Sequence, residues 1–167
     1  MPQLAEQFNN VHEDFIDLPE NIVGEILDGE LHTQPRPAPK HALTTSYLGH
    51  DLVGPYGKGR GGPGGWWILD EPELHFNDNI LVPDIAGWKK TRMPKLPETA
   101  FFSLAPDWVC EVLSQHTARK DRIKKMPLCA KYGVAFIWLI DPIVKTLEMY
   151  VSTRESILET YRNVCQG

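Results

Sequence analysis

The run Trp108-Val109-Cys110-Glu111-Val112-Leu113 is the most strand-like stretch of the chain, and it carries a carboxylate in its interior. Side chains of a strand alternate between faces, so Glu111 shares its face with Val109 and Leu113 and has apolar neighbours on either side. A carboxylate embedded there costs on the order of several kcal/mol unless it is paired or bound to a cation. Arg122, Lys124 and Lys125, on the segment that follows, could supply a plain salt bridge. A metal ion shared with a second acid is the other solution. The candidate is Asp84 in Val82-Pro83-Asp84, which ends an alternating apolar run and so has a side chain free of the ladder. If the two acids converge, a cation is the better explanation, because adjacent carboxylates repel one another.

Two acids at strand positions with a lysine close behind are a minimal kit for metal-dependent phosphodiester hydrolysis. That reaction asks for a nucleophilic water, neutralisation of charge on the phosphoryl oxygens and help for the leaving oxygen. Mg²⁺, with Mn²⁺ as a substitute, suits carboxylate oxygens and retains several waters, so Asp84 and Glu111 are the expected metal ligands. Among the lysines, Lys125 lies four residues from Asp121 on one helical face, whereas Ile123 and Met126 mark the expected buried stripe and leave Lys124 lateral. Lys125 is therefore the residue expected to orient or deprotonate the attacking water and to stabilise the pentacovalent state.

Composition limits the alternatives. A chain of 167 residues, 42% hydrophobic and 23% charged, is one globular domain's worth, which excludes disorder and fibre. No basic region followed by an apolar run opens it, and no stretch approaches the roughly 18 apolar residues of a membrane span, so a cytoplasmic location is expected. Cys110, Cys129 and Cys165 form no CxxC and read as reduced thiols. The net charge of -5 is unevenly spread: residues 117–132 carry six cations against Asp121 alone and residues 86–95 four cations with no acid, so these segments sum to +9 and the rest to -14. Such polarity suits an enzyme that holds an anionic substrate on one face.

Residues 1–20 read as an N-terminal arm, 21–151 as the folded domain and 152–167 as a C-terminal tail. Within the domain, Ile22 to His32 reads as a hairpin turning at Asp28-Gly29. Residues 33–39 form a connector, and Leu43, Tyr47, Leu48 and Leu52 are spaced for a helix. The seven glycines of 53–65 predict a mobile loop without regular structure, because Gly-Lys-Gly-Arg-Gly-Gly lacks the spacing of a phosphate cradle. Strands are expected at 66–69, 74–76, 80–82, 108–113, 134–140 and 144–151, an irregular stretch at 85–106, and a helix from Ser114 or Thr117 toward Met126 that Pro127 kinks. The class is α/β with a mixed sheet flanked by helices.

Several pieces together resemble the Uma2 family, formerly labelled a domain of unknown function and placed in the PD-(D/E)XK nuclease superfamily. They are Glu25-Ile26-Leu27-Asp28-Gly29-Glu30-Leu31, His41, Val82-Pro83-Asp84-Ile85-Ala86-Gly87-Trp88 and Pro106-Asp107-Trp108-Val109-Cys110-Glu111-Val112-Leu113-Ser114. Thr117 with Asp121 and Lys125, Tyr132-Gly133-Val134 and Trp138-Leu139-Ile140-Asp141-Pro142 complete the set. The resemblance implies a restriction-endonuclease-like core in which Asp84 and Glu111 bind Mg²⁺. The superfamily usually places its lysine two residues after the second acid, where this chain has Leu113. The family is thought to move that role to the next helix, which again singles out Lys125. Glu25 and His41 occupy family positions near the site, as an extra carboxylate and a phosphate or water contact, although taken alone they read as an ordinary strand acid and a helix-start histidine. The family's Leu-Ser-Pro-Ser-Thr is here Leu113-Ser114-Gln115-His116-Thr117, and Cys129 stands where a tyrosine is usual.

The expected activity is thus a Mg²⁺-dependent endonuclease acting on double-stranded DNA. A nuclease-fold protein that binds nucleic acid or a protein without cutting, and a hydrolase of small phosphate esters, are the competing readings. A two-fold homodimer is expected if the strand around Val144 to Val151 leaves an unpaired edge.

Overall fold

The computed structural model describes residues 10–34, 37–153 and 155–164, and Cys165 lies outside them. Among these residues ten strands form two sheets. A four-stranded antiparallel sheet has β1 (Val23–Leu27), β2 (Glu30–Gln34), β4 (Leu74–Phe76) and β5 (Asn79–Leu81) in the order β2-β1-β5-β4. The six-stranded sheet contains β3 (Trp66–Asp70), β6 (Ile85–Lys89), β7 (Trp108–Val112), β8 (Phe136–Asp141), β9 (Thr146–Ser152) and β10 (Ile157–Val164), ordered β10-β9-β8-β7-β6-β3. Only its β7–β8 pair is parallel, joined through a helical crossover, so the sheet is mixed as the sequence predicts.

The β1–β2 hairpin turns at Asp28 and Gly29, both at positive φ (51° and 79°), the backbone of a tight primed turn. Helix α1 (Pro39–Leu52) starts with proline in its first turn and packs Leu48 and Leu52 against one face of the larger sheet. Leu43 and Tyr47 point outward, being 51% and 64% exposed. At 100° per residue the four apolar positions never formed one stripe, and the sheet takes only the later pair.

Three expectations change. Residues 85–106 contain β6, which pairs with both β3 and β7 and is central to the site. The glycine-rich stretch opens with a π-helical turn, Val53–Gly57, and folds back on itself through Arg60 N–H to Gly54 and Gly64 N–H to Pro55, so it is an ordered loop. The expected tail holds β10, which pairs along the whole of β9. Its own chain therefore covers the edge on which the dimer was argued, and that argument falls.

Opposite α1, the second face of the sheet is covered by the run 118–131, α2: Ala118–Lys120, a π-helical stretch Asp121–Lys125 and Met126–Lys131. Pro127 has no N–H to give to a carbonyl one turn back, and the wider turn before it, in which Met126 N–H reaches the Asp121 carbonyl, takes up the mismatch. Trp88, Val109, Leu113, Leu128, Cys129 and Leu139 pack between this helix, the smaller sheet and the larger one.

Arg122 clamps α2 to β9 by a two-pronged bond to Glu148, with Nη1–Oε2 2.6 Å and Nη2–Oε1 2.8 Å. The Arg122 bond, aided by Tyr150 O–H, outweighs desolvation and pulls the Glu148 carboxyl from its usual 4.5 to about 2. A depressed carboxyl contributes stability that is whole above its unfolded value and lost as pH falls through its folded one. The Tm difference between wild type and Arg122→Leu, followed by circular dichroism, should be constant above about pH 5 and close between about pH 4.5 and 2. A difference that persists unchanged to pH 2 refutes the ion-pair account.

Candidate active site

The site lies where β7 ends, β5 passes into β6, and β1, α1 and α2 converge. In the β6–β7 ladder Ile85 faces Cys110, so one step further Asp84 stands opposite Glu111. Asp84 precedes the first paired residue of β6, and its carboxylate meets His41 of α1 while that of Glu111 meets Lys125 of α2. Asp84 Oδ2 accepts a 2.7 Å bond from Val112 N–H and lies 3.3 Å from His41 Nε2, in the first turn of α1. That contact with Asp84 outweighs burial and raises the His41 pKa above its usual 6.5.

Lys125 is 2% exposed, and its ammonium is the hub. Nζ lies 2.7 Å from Glu111 Oε1, 2.8 Å from Glu25 Oε1, 4.0 Å from Asp121 Oδ1, and donates to the Val82 carbonyl at 3.0 Å. Glu25, wholly buried on β1, also accepts from Val82 N–H at 2.9 Å and pairs with Lys120 at 2.6 Å. Burial alone would lower the Lys125 pKa, but Glu111, Glu25 and Asp121 outweigh it and hold the amine charged, well above its usual value. Burial likewise would raise Glu25, and Lys125 and Lys120 reverse the sign.

Glu111 goes the other way: burial pushes its carboxyl well up, Asp121, Asp84 and Glu25 add to the shift, and Lys125 opposes it. Asp121 is raised for the same first reason. Three carboxylates, Glu25, Glu111 and Asp121, thus share two lysines, while Asp84 is held by His41 and Val112 N–H. Glu111 Oε1 touches Lys125 but lacks a hydrogen bond of proper geometry, so a buried oxygen retains acceptor capacity. An excess of acid and an under-used hard oxygen fit a divalent cation that prefers carboxylates. Among the described residues no group of three or more His, Cys, Asp or Glu is arranged to hold a metal.

A sequence profile described as "Uma2: Putative restriction endonuclease" matches residues 12–164. The chain belongs to the Uma2 family. It is also similar to the crystal structure of a putative nuclease belonging to DUF820 from Anabaena variabilis, with a TM-score of 0.71 and 26% identity over 88% of this chain and 82% of that one. No curated protein matches. Family and neighbour support a nuclease function.

In this Uma2 chain Lys125 joins Glu25 and Glu111, and His41 joins Asp84 at the neighbouring strand end; two members of the lysine cluster are not foreseen from sequence. Asp121 enters the sequence reading as a marker of the helix face and as one piece of the family resemblance, with no role of its own, yet it is 3% exposed. Lys120 was missed because it lies five residues before Lys125, well off its face on a regular α-helix, whereas the π-helical stretch lets both reach Glu25. The expected apolar stripe is also corrected: Ile123 is 61% exposed, and Asp121 and Lys125 face inward. Lys124 points away, to Glu30 and His32. Within the basic segment 117–132, Lys120, Arg122, Lys124 and Lys125 pair with acids of the same chain.

Proposed function

We propose that this Uma2 protein is a Mg²⁺-dependent endonuclease that hydrolyses phosphodiester bonds of DNA. The supporting observation is the opposed pair Asp84 and Glu111 at one end of β6 and β7, with the Lys125 ammonium against Glu111. Asp84 and Glu111 would hold the ion, which supplies charge neutralisation at the phosphoryl oxygens and a more acidic water.

The chain's own residues do the remainder. His41 orients Asp84 from one side, and Val112 N–H fixes the same oxygen from the other. Lys125, kept charged by its acids, is suited to orient the attacking water and stabilise charge on the pentacovalent phosphorus rather than to remove a proton. Glu25 holds Lys125 in place and is itself fixed by Lys120 and Val82 N–H, so the cation is set before substrate arrives. Cutting both strands of a duplex would use two sites related by a two-fold axis, which a homodimer provides.

The test is cleavage of an end-labelled duplex DNA, an RNA of the same sequence and a nitrophenyl phosphodiester, each with Mg²⁺ and with EDTA. The expected result is Mg²⁺-dependent cutting of the duplex and a rate lowered roughly a hundredfold in Asp84→Ala, a loss of about 2.7 kcal/mol of transition-state stabilisation. Binding of the duplex without cutting would favour the non-catalytic reading, and turnover of the small ester alone would favour the third.

A further inference from the structure

On the α1 side of the larger sheet lies a groove of about 360 Å³ that the acid cluster does not use. Trp66, Trp108, Phe136 and Trp138 line it together with Tyr56 from the π-helical turn and Lys89 from the end of β6. Its floor is one rung of the sheet: Phe136 faces Trp108, Trp108 faces Gly87, and Gly87 faces Ile68. Gly87 is what leaves room for the rings. A Cβ there would stand 3.2 Å from Trp108 Cε3, 3.3 Å from Trp66 Cε3 and 3.1 Å from Ile68 Cδ1.

We infer that this groove binds an unstacked nucleobase of a single-stranded stretch of nucleic acid, held between the aromatic rings with its phosphates on a cationic rim. The inference rests on the nuclease reading for the kind of ligand and adds a second contact to it. A planar aromatic ligand is what stacks on such walls, and every base offers a π face. The Trp108 indole N–H, in a residue 7% exposed, has no hydrogen-bond partner among the described residues, an unsatisfied polar group in the groove wall.

Charge selects the anion. Lys89, whose Nζ lies 5.6 Å from the centre of the Trp66 ring, is the lone charge among the lining residues. The loop that carries Tyr56 presents exposed Lys58 and Arg60, and residues 53–69 contain no acid. A second copy of this chain, with its net charge of -5, brings no aromatic anion of this kind, and an apolar ligand would make no use of the rim.

Position agrees with use by the same substrate. Trp108 is three residues from Glu111 along β7, about 10 Å, and α1 runs from His41 beside Asp84 to Leu52 at the groove, about 17 Å. At about 3.4 Å per nucleotide of a stacked strand, the base in the groove would lie roughly three to five nucleotides from the phosphate at the acids. Glu111 and Trp108 face opposite sides of the sheet, so a continuous duplex could not reach both without a base leaving its stack.

The experiment uses the full chain in EDTA, which separates binding from cleavage. Fluorescein-labelled oligo(dT) of ten nucleotides is titrated by anisotropy and by quenching of tryptophan emission, beside an abasic oligomer of equal length. Wild type should bind oligo(dT) with quenching and the abasic strand at least tenfold more weakly. Trp66→Ala, or the surface pair Tyr56→Ala with Lys89→Gln where Trp66→Ala fails to fold, should weaken oligo(dT) about tenfold, and Ile123→Ala, a change at an exposed position of α2, should leave it unchanged. Equal binding of the abasic strand, unchanged affinity in both groove variants, or loss of self-association in place of oligonucleotide binding would overturn the inference. Failure of the nuclease reading looks different: no Mg²⁺-dependent cutting by wild type, whatever the groove variants do.

Discussion

Lys125→Ala is expected to lower the rate of DNA cleavage at least tenfold and to lower Tm in the same protein, whereas Lys124→Ala should change neither appreciably. The first variant removes the cation that Glu25 and Glu111 share at 2.8 and 2.7 Å, and it leaves both buried beside Asp121. Breaking a buried ion pair from one side costs about 3–5 kcal/mol, because the partner charge stays desolvated. Lys120 still reaches Glu25 but not Glu111 in the native arrangement, so Glu111 is the acid left exposed to its neighbours' repulsion. Lys124 instead pairs with exposed Glu30, a surface pair that solvent screens and that adds little to stability. Because instability and chemistry are lost together, the rate is compared at a temperature where circular dichroism shows the variant folded, and Lys125→Met, which keeps most of the buried volume, serves as a second form. Each tenfold in rate corresponds to about 1.4 kcal/mol of transition-state stabilisation. A larger rate loss in Lys124→Ala, or full activity in folded Lys125→Met, would remove Lys125 from the mechanism.

The site is legible from sequence where a residue is anomalous in its local pattern. Glu111 was legible because a carboxylate in an apolar strand is anomalous in itself, and the β7 pattern that made it so is seen as a wholly buried strand. Asp84 reads from sequence as the residue after a strand; it is equally the residue before β6. Ile85 to Trp88 was obscured by the glycine and by the prolines further on, although Gly87 is there for the rings that cross it. Lys125 was selected for sharing a face with Asp121, and that pairing holds at 4.0 Å, while the apolar stripe used alongside it does not, since Ile123 faces solvent. A helix periodicity rule reads charge as solvent-facing, and here the charged side is the buried one because two strands bring acids to meet it. Lys120 depended on a change in helical pitch that Pro127 hints at but no 3.6-residue rule contains. β10 was missed because its Glu159, Thr160, Arg162 and Asn163 look like tail, and an edge strand with one solvated face is allowed to look so.

Glu111→Gln should separate the acid's function from its place in the fold more sharply than any other single change. The Glu111 charge is disfavoured by burial and by three neighbouring acids, and a neutral isostere avoids both penalties. Lys125 is not stranded by the loss, because Glu25 remains 2.8 Å away and the Val82 carbonyl 3.0 Å away. The ordinary cost of halving a buried ion pair is therefore largely absent, and Tm of the metal-free protein should stay within about 2 °C of wild type or rise. Functional groups held against their own desolvation commonly show this trade of stability for activity. Calorimetric titration with Mg²⁺ should lose its binding signal in Glu111→Gln, and the cleavage rate should fall roughly a hundredfold, about 2.7 kcal/mol. A drop in Tm as large as that of Lys125→Ala would mean that Glu111 serves as a structural counterion, and undiminished Mg²⁺ binding would mean that any ion is held elsewhere. Loss of binding and cutting with the fold intact is the pattern expected of a ligand that the fold tolerates only for its chemistry.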